Sequence, residues 1–173
     1  VGATGRDYPT LIEAARDLPV DVAIEAVSIW AGTDAVAPTG GPTNIEFTNL
    51  GSTAALRDQY GRASLVAIPL QELGILVGPT VILEAKAMER PVLVTDISML
   101  GDDVFRDGLD GLRVRVGDAD HWGEQVRAIF DDPETWRAQA RDARADVVSE
   151  HRIEEYPKQI LAAVRAAVAA RSR

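Results

Sequence analysis

The chain has 173 residues, 46% of them hydrophobic, which is enough for one globular domain over residues 1–173 with a two-layer or three-layer core. Its 18 Lys and Arg against 27 Asp and Glu give a net charge of -9, which argues against nucleic acid as a partner and gives no indication of membrane contact. Cysteine is absent, and His121 and His151 are the only histidines, so disulfide frameworks, thiolate metal sites and His-rich metal centres are excluded. A cysteine-free chain fits a cytoplasmic setting.

The chain opens in a glycine-containing turn, VGATGRD, that leads directly into a helical pattern. Pro9 stands where a first-turn proline is tolerated. An apolar helical stripe is formed by Leu11, Ile12, Ala15 and Leu18. Because the chain begins with Val1 inside such a turn, we expect a preceding strand, and more of a larger protein, to lie outside this sequence.

Short β-rich runs alternate with helical segments along the rest of the chain, which is typical of a parallel α/β sheet. The predicted strands are 20–29, 44–50, 64–70, 91–96 and 112–116, and helices are predicted near 52–63, 79–88, 118–131, 133–149 and 153–171. Ser52 is a plausible N-cap of the first of these helices. The Ala-rich tail predicts a docked amphipathic helix, with Tyr156, Ile160 and Val164 on its inner stripe.

The helix that starts on Gly78, Pro79 and Thr80 follows a buried strand and its loop. Such a helix start presents unpaired N–H groups and the positive end of its dipole at the carboxyl edge of the sheet. Glycine lets a phosphate approach the backbone, proline presets the first turn, and the threonine hydroxyl adds a donor. The pattern therefore predicts an anion site at this edge, where ligands bind in open parallel sheets.

Glu84 is the acid that points inward from this helix. At roughly 100° per residue, Lys86, Glu89 and Arg90 share one face, whereas Glu84 points the opposite way with Val81. A carboxylate one turn behind the anion site is suited to accept hydrogen bonds from two neighbouring hydroxyls, as a ribose offers. The alternative is structural: Glu84 caps a neighbouring backbone or pairs with a core arginine.

Other charged groups have ordinary structural interpretations. Asp102, Asp103, Asp107 and Asp110 lie in a glycine-containing loop, and we interpret them as turn and cap residues rather than a cation site. The two histidines stand near predicted helix ends, where capping, packing or solvent exposure is expected.

Several segments together resemble the nucleotide-sugar-binding C-terminal half of the family-4, glycogen-synthase-like retaining glycosyltransferases. They are GPTVILEAKAMERPVLVTD, LGDDVFRDGLDGLRVRVGD, DDPETWRAQARDARADVVSEHRIEEY and, upstream, LRDQYGRASLVAIPL and VGATGRDYPTLIEAA. Their order and spacing agree with the family over nearly the whole chain. The resemblance implies one Rossmann-like half of the two-domain GT-B fold, with a parallel sheet flanked by helices and with C-terminal helices.

The resemblance also implies roles for particular residues. Glu84 falls on the family's second motif glutamate and would bond the donor's ribose, and the turn of Gly78, Pro79, Thr80 and Val81 would cradle the diphosphate or sugar. Arg6 is the nearest cation to the position of the usual arginine and would act as the catalytic diphosphate clamp. The structural alternative is that Arg6 pairs with Asp7 or faces water.

Two departures from the family pattern stand out. The usual arginine after the first-strand glycine is replaced by Ala3. Leu76 stands where the first motif glutamate is usual, and Glu72 is a candidate substitute from the same loop.

The activity implied is transfer of a sugar from a nucleoside diphosphate to an acceptor hydroxyl with retention of configuration. It requires no metal or cofactor, and an acceptor-binding domain outside this chain would complete the enzyme. Two alternatives stay open, a nucleotide-sugar epimerase and a non-catalytic binding or scaffold domain. A nicotinamide-dependent oxidoreductase is disfavoured because the opening turn supplies only Gly2 and Gly5 of the required glycine fingerprint.

Overall fold

The computed structural model describes residues 2, 4–26 and 42–171. Strands and helices alternate through most of this range, and three consecutive helices end it, which confirms the predicted α/β class. The elements are α1 (Tyr8–Ala15), β1 (Val22–Glu25), β2 (Ile45–Thr48), α2 (Thr53–Arg62), β3 (Val66–Ile68), α3 (Pro79–Ala87), β4 (Val92–Thr95), β5 (Gly111–Val114), α4 (Ala119–Asp131), α5 (Pro133–Glu150) and α6 (Tyr156–Arg171). The last three residues of the first predicted strand, 27–29, and the following loop up to residue 41 lie outside the described residues.

Every strand pair in the described part of the chain is parallel. β3, β4 and β5 form a three-stranded sheet in that order, whereas β1 and β2 form a separate two-stranded sheet. The central strand β4 is buried at all four positions, as its apolar sequence predicts for a strand covered on both faces.

Helices cover both faces of the three-stranded sheet, which gives a three-layer arrangement. On one face, α2 and α3 pack on side chains from β3 and β4 that include Val66, Ile68 and Val94. On the other face, α1 and α4 pack together over Leu93 and Val114. Because successive side chains of a strand point to opposite faces of the sheet, neighbouring residues of one strand belong to different hydrophobic cores.

Short polar side chains and prolines stand at the helix starts, as predicted for Ser52, Pro9 and Pro79. Asp7, Ser52, Asp118 and Asp132 each accept a hydrogen bond from the backbone N–H three residues later. A proline stands in the first turn of α1, α3 and α5. The MLGDDVFRDG segment after β4 contains turns and no helix, and in one of these turns Phe105 N–H donates to the Gly101 carbonyl at 3.2 Å.

Lys86 is buried, although the helical wheel places it on one charged face with Glu89 and Arg90. Its side chain is 5% exposed, and its Nζ lies 3.0 Å from Asp110 Oδ2. The reason is tertiary: α5 packs against α3 and covers the face that an isolated helix would present to water. A long charged side chain tolerates such burial only when it has a partner.

Asp110 completes this buried network. Its carboxylate also accepts from the backbone N–H of Arg106 at 2.9 Å and from the Arg106 guanidinium at 2.9 Å, and Arg106 in turn pairs with Asp146 of α5. Burial acts to raise the pKa of Asp110, but the hydrogen bonds from Arg106 and Lys86 outweigh it and hold that pKa below the ordinary value. Asp110 is thus a turn residue, as predicted, and also an anchor for α3.

The C-terminal helix corrects a second prediction. Tyr156, Ile160 and Val164, expected on a docked inner stripe, are all exposed, as is Ile153 just before the helix. No described element packs closely on α6, although its sequence is amphipathic enough to form the helix. The amphipathic pattern predicted the helix correctly, but the prediction that its apolar stripe is docked was wrong.

Gly111 is required by a close backbone approach, and this gives the first prediction. At φ 153° it lies against β4, where an added Cβ would stand 1.8 Å from the Val92 carbonyl oxygen. We expect Gly111→Ala to lower the free energy of unfolding by roughly 3 kcal/mol or more, because the overlap adds to backbone strain. Gly117→Ala is the control: its φ is 67° but no atom lies within 4 Å, so a loss of about 1–2 kcal/mol is expected. Urea denaturation compares the two, and equal losses would contradict the close-approach argument.

The second prediction concerns Asp110 and acid. Because its pKa is lower in the folded chain than in the unfolded chain, its contribution is fully present above about pH 4 and is lost as pH falls through the folded pKa. Asp110→Asn should destabilise the protein by roughly 3 kcal/mol at pH 7, because Lys86 stays buried without its carboxylate, and should reduce the acid-induced loss. Asp102→Asn removes an exposed carboxylate and should change stability by less than about 0.5 kcal/mol. An unchanged acid profile in Asp110→Asn would contradict the assignment.

Candidate functional site

The candidate site is built where strand β3 ends. Here the turn that precedes α1 pairs with the chain that leaves β3: Asp7 N–H donates to the Pro69 carbonyl at 3.0 Å, and Gln71 N–H donates to the Gly5 carbonyl at 2.9 Å. On the opposite side, the Thr95 hydroxyl accepts from Leu70 N–H at 2.8 Å. These bonds bring the starts of α1 and α3 to the carboxyl edge of the sheet.

The start of α3 leaves two backbone donors open. Gly78 has φ 93°, a conformation that glycine adopts without strain, and its carbonyl accepts from Ile82 N–H at 3.1 Å to close the first turn. Pro79 has no N–H, so the donors at this helix start are Thr80 and Val81, for which no acceptor is found among the described residues. The Thr80 side chain is exposed, whereas the Val81 side chain is in the core. The predicted anion site therefore has two N–H groups and one hydroxyl available.

Glu84 lies one turn farther along α3 and is half-buried. Among the described residues its hydrogen-bond partner is Tyr60 of α2, whose hydroxyl donates to Oε2 at 2.9 Å. Burial raises the pKa of Tyr60, and the nearby charge of Glu84 raises it further, so Tyr60 remains a donor at neutral pH. The bond orients the carboxyl group and leaves Oε1 as an acceptor. The arginine pairing that was the structural alternative is not found among the described ion pairs.

Arg6 is buried, with 9% of its surface exposed. One guanidinium nitrogen donates to the Thr4 carbonyl at 3.1 Å, and the group packs on Gly2, where an added Cβ would be 2.9 Å from Nη2. Burial lowers the pKa of Arg6, while Tyr8 and Tyr60 are close enough to act on it in the opposite sense. Arginine remains protonated in such surroundings. The structure thus brings Arg6, Tyr60 and Glu84 to one side of the β3 edge.

Two of the residues at this edge were not predicted to belong to the site. The Tyr8 hydroxyl donates to the Gly2 carbonyl, and burial raises the pKa of Tyr8 to about 12. Glu25, at the end of β1, is buried and accepts from the Thr48 hydroxyl and from Leu50 N–H, each at 3.0 Å. For Glu25 the sequence offered one signal, an acid at the end of an apolar strand. An acid on an otherwise apolar face is also what singled out Glu84.

The proposed substitute for the missing motif acid has another partner. Glu72 accepts from the Ser98 N–H at 2.7 Å and from the Ser98 hydroxyl at 2.9 Å, and these bonds lower the pKa of Glu72. Leu76 is 44% exposed, close in sequence to exposed Leu73 and Ile75. The loop before α3 therefore presents apolar side chains, and its acid is held by the loop after β4. Ala3 lies outside the described residues.

Other charged groups near the sheet edge have structural partners. Arg113 pairs with Asp96 and Asp102, and Asp107 accepts from Arg113 N–H at 2.8 Å, which accounts for these acids as turn residues. His121 Nδ1 accepts from Arg115 N–H at 3.0 Å near the start of α4. Within the described ranges, no group of three or more His, Cys, Asp or Glu residues could hold a metal ion, and no helix has the length and apolarity to span a bilayer.

The fold and the site together define a class. A parallel sheet covered by helices, with two helix starts meeting at its carboxyl edge, is the architecture of nucleotide-binding α/β domains. A family model for glycosyl transferases of group 1 matches residues 11–132, and the chain belongs to that family. No curated protein sequence matches the chain significantly.

Solved structures agree with this assignment of the fold. HepE of Anabaena in complex with UDP-glucose matches with a TM-score of 0.75 and 16% identity, over 95% of this chain and 46% of that one. Sucrose-phosphate synthase of Thermosynechococcus elongatus matches with a TM-score of 0.74 and 20% identity, over 96% and 43%. A glycosyltransferase of Rickettsia africae matches with a TM-score of 0.73 and 14% identity, over 92% and 44%. The chain therefore spans less than half the length of these proteins.

The bond between Tyr60 and Glu84 gives the third prediction. Tyr60→Phe removes a hydroxyl that donates to a carboxyl group in a largely buried setting, so the free energy of unfolding should fall by about 1–2 kcal/mol. Tyr156→Phe is the matched control, because that hydroxyl belongs to an exposed ring and its loss should cost less than about 0.5 kcal/mol. Urea denaturation measures both, and equal effects would show that the bond does not anchor α2 to α3.

Proposed function

We propose that this chain is the donor-binding half of a retaining glycosyltransferase that uses a nucleoside-diphosphate sugar. The observation that carries the proposal is the start of α3: two backbone donors without acceptors among the described residues, one turn ahead of an oriented carboxyl group. Membership of the group 1 family supports the class of reaction. HepE was solved with UDP-glucose, which supports a sugar nucleotide as the donor.

In the proposed complex, the diphosphate lies at the helix start. The N–H groups of Thr80 and Val81 donate to phosphate oxygens, Gly78 allows the close approach, and the positive end of the helix dipole favours the charge. Pro79 contributes its preset first-turn geometry rather than a donor. Arg6 also stabilises the diphosphate in this proposal, because its buried guanidinium supplies positive charge at the same edge of the sheet.

Glu84 holds the ribose in this proposal. Tyr60 occupies Oε2, so Oε1 is the atom that accepts from a ribose hydroxyl, and the second lone pair of Oε2 is available to its neighbour. Binding of the ribose by Glu84 explains why an acid lies one helical turn behind an anion site. A carboxylate aimed directly at the phosphates would repel them, whereas one turn of helix separates the two charges by about 6 Å.

The proposed reaction transfers the sugar to an acceptor hydroxyl with its anomeric configuration retained. Negative charge builds on the departing diphosphate while the sugar becomes oxocarbenium-like, and preorganised N–H donors stabilise that charge by a few kcal/mol each. The proposal assigns this role to Thr80, Val81 and Arg6 and uses no metal or cofactor. The acceptor is held by an N-terminal domain outside this chain, since the matched structures are more than twice as long. We place the reaction in the cytoplasm.

Calorimetry tests the donor site and gives the fourth prediction. The chain is titrated with UDP-, GDP-, ADP- and dTDP-glucose, and at least one should bind with a dissociation constant between micromolar and millimolar. Glu84→Gln should weaken that binding at least about tenfold, because a charged acceptor is lost while the Tyr60 bond is kept. Glu124→Gln removes an equal charge from the exposed face of α4 and should leave the affinity unchanged.

Two results would contradict the proposal. One is a folded sample that binds no member of the panel at millimolar concentration. The other is an equal loss of affinity in Glu84→Gln and Glu124→Gln, which would assign the effect to net charge rather than to contact with the ribose.

A further inference from the structure

The loop of residues 71–77, between β3 and α3, exposes apolar side chains beside the proposed diphosphate site. Leu73, Ile75 and Leu76 are all exposed, and so is Met99 of the loop after β4. Exposed apolar side chains that stand close together mark surfaces that bind a ligand or a partner. The position and the polarity of this loop decide which ligand group it suits.

Hydrogen bonds hold the 71–77 loop in place and engage its polar side chains. Glu72 accepts from Ser98 N–H at 2.7 Å, from the Ser98 hydroxyl at 2.9 Å and from Gly74 N–H at 3.2 Å. Gln71 Nε2 donates to the Arg6 carbonyl at 3.2 Å. Gln71 and Glu72 are the only residues of the loop with polar side chains. The rest of the loop therefore offers a ligand aliphatic side chains and backbone groups alone.

The loop lies between the two parts of the proposed diphosphate site. A Cβ added to Gly5 would stand 3.2 Å from Leu73 Cδ1 and 3.3 Å from Val77 Cγ2, so these two side chains pack on the turn that carries Arg6. At its other end, the loop runs directly into Gly78 at the start of α3. A group attached to a diphosphate at this helix start therefore lies next to the loop.

The order of groups along the chain assigns the loop to the sugar of the donor rather than to its nucleoside. Glu84, assigned above to the ribose, comes four residues after Thr80, whereas Leu76 comes four residues before it. Four residues span at most about 14 Å, so Leu76 lies within reach of a group attached to a diphosphate at Thr80. The ribose and the transferred sugar are attached to opposite ends of the diphosphate. With the ribose at Glu84, the sugar lies on the side of the 71–77 loop.

We propose that the donor carries a deoxy sugar, a hexose in which hydrogen replaces a hydroxyl group, so that a methylene or methyl group meets Leu76. A hydroxyl placed against Leu76 would lose its bonds to water without gaining a side-chain partner, because Ser98 and Gly74 already occupy Glu72. A methylene or methyl group at the same place removes apolar surface of both the sugar and the loop from water. This inference rests on the proposed function, since it requires the diphosphate at the start of α3.

Calorimetry with matched donors tests the inference. The chain is titrated with the nucleoside diphosphate that it binds, with the glucose derivative of that nucleotide, and with the 2-, 3-, 4- and 6-deoxyglucose derivatives. At least one deoxy donor should bind about tenfold or more tightly than the glucose donor, because an apolar surface discriminates against a hydroxyl by roughly this factor or more. The free nucleoside diphosphate measures the part of the affinity that does not depend on the sugar.

A substitution in the loop connects this preference to Leu76. Leu76→Glu supplies an acceptor for a sugar hydroxyl and should lower the preference for the deoxy donor at least about fivefold. Leu161→Glu is the matched control, because it adds the same charge at an exposed leucine of α6 and should leave the preference unchanged. The preference is a ratio of two affinities, so a general effect of the added charge on anion binding cancels.

Two results would overturn the inference and leave the proposed function standing. One is binding of the nucleoside diphosphate together with a glucose donor that binds as tightly as every deoxy donor, or more tightly. The other is a preference for a deoxy donor that persists undiminished in Leu76→Glu, which would show that the sugar does not meet the loop. Failure of the folded chain to bind any of these nucleotides would instead overturn the proposed function, and this inference with it.

Discussion

The carboxyl end of β3 is the junction on which the rest of the structure depends. Its backbone is bonded on one side by the turn of Gly5 to Asp7 and on the other by Thr95. Because β3, β4 and β5 are parallel, the chain leaves each of them at the same edge, and α3 and α4, which follow β3 and β5, begin on that side. The convergence of Arg6, the start of α3 and Glu84 is therefore a consequence of strand direction before it is a matter of side-chain chemistry.

Helix α3 is held at both of its ends. At its start, Gly78 packs against Leu70 in a left-handed conformation, and near its end Lys86 is anchored by the buried Asp110. Tyr60 fixes the carboxyl group between them. A helix start held this rigidly presents its N–H groups without reorganisation, which is the condition under which backbone donors stabilise a developing negative charge most effectively.

Much of this arrangement could be predicted from the sequence, because it depends on residues that are close together in the chain. The apolar runs predicted the strands, and the Gly-Pro-Thr turn predicted the start of α3. What could not be predicted depends on distant partners. Tyr60 bonds Glu84, which lies 24 residues away in the chain, and Lys86 is buried because α5 covers it. The apolar side chains Tyr156, Ile160 and Val164 of α6 are exposed instead of docked. Periodicity states which face of an element is apolar but not what lies against it.

The central claim is that the start of α3 receives the diphosphate, and amide NMR tests it most directly. Titration with the nucleoside diphosphate that binds the chain should shift the backbone amide signals of Thr80 and Val81 more than any others, because those N–H groups would gain charged acceptors. Residues on the exposed face of α4 should not respond. Large shifts confined to sites away from α3, with Thr80 and Val81 unmoved at saturation, would contradict the account.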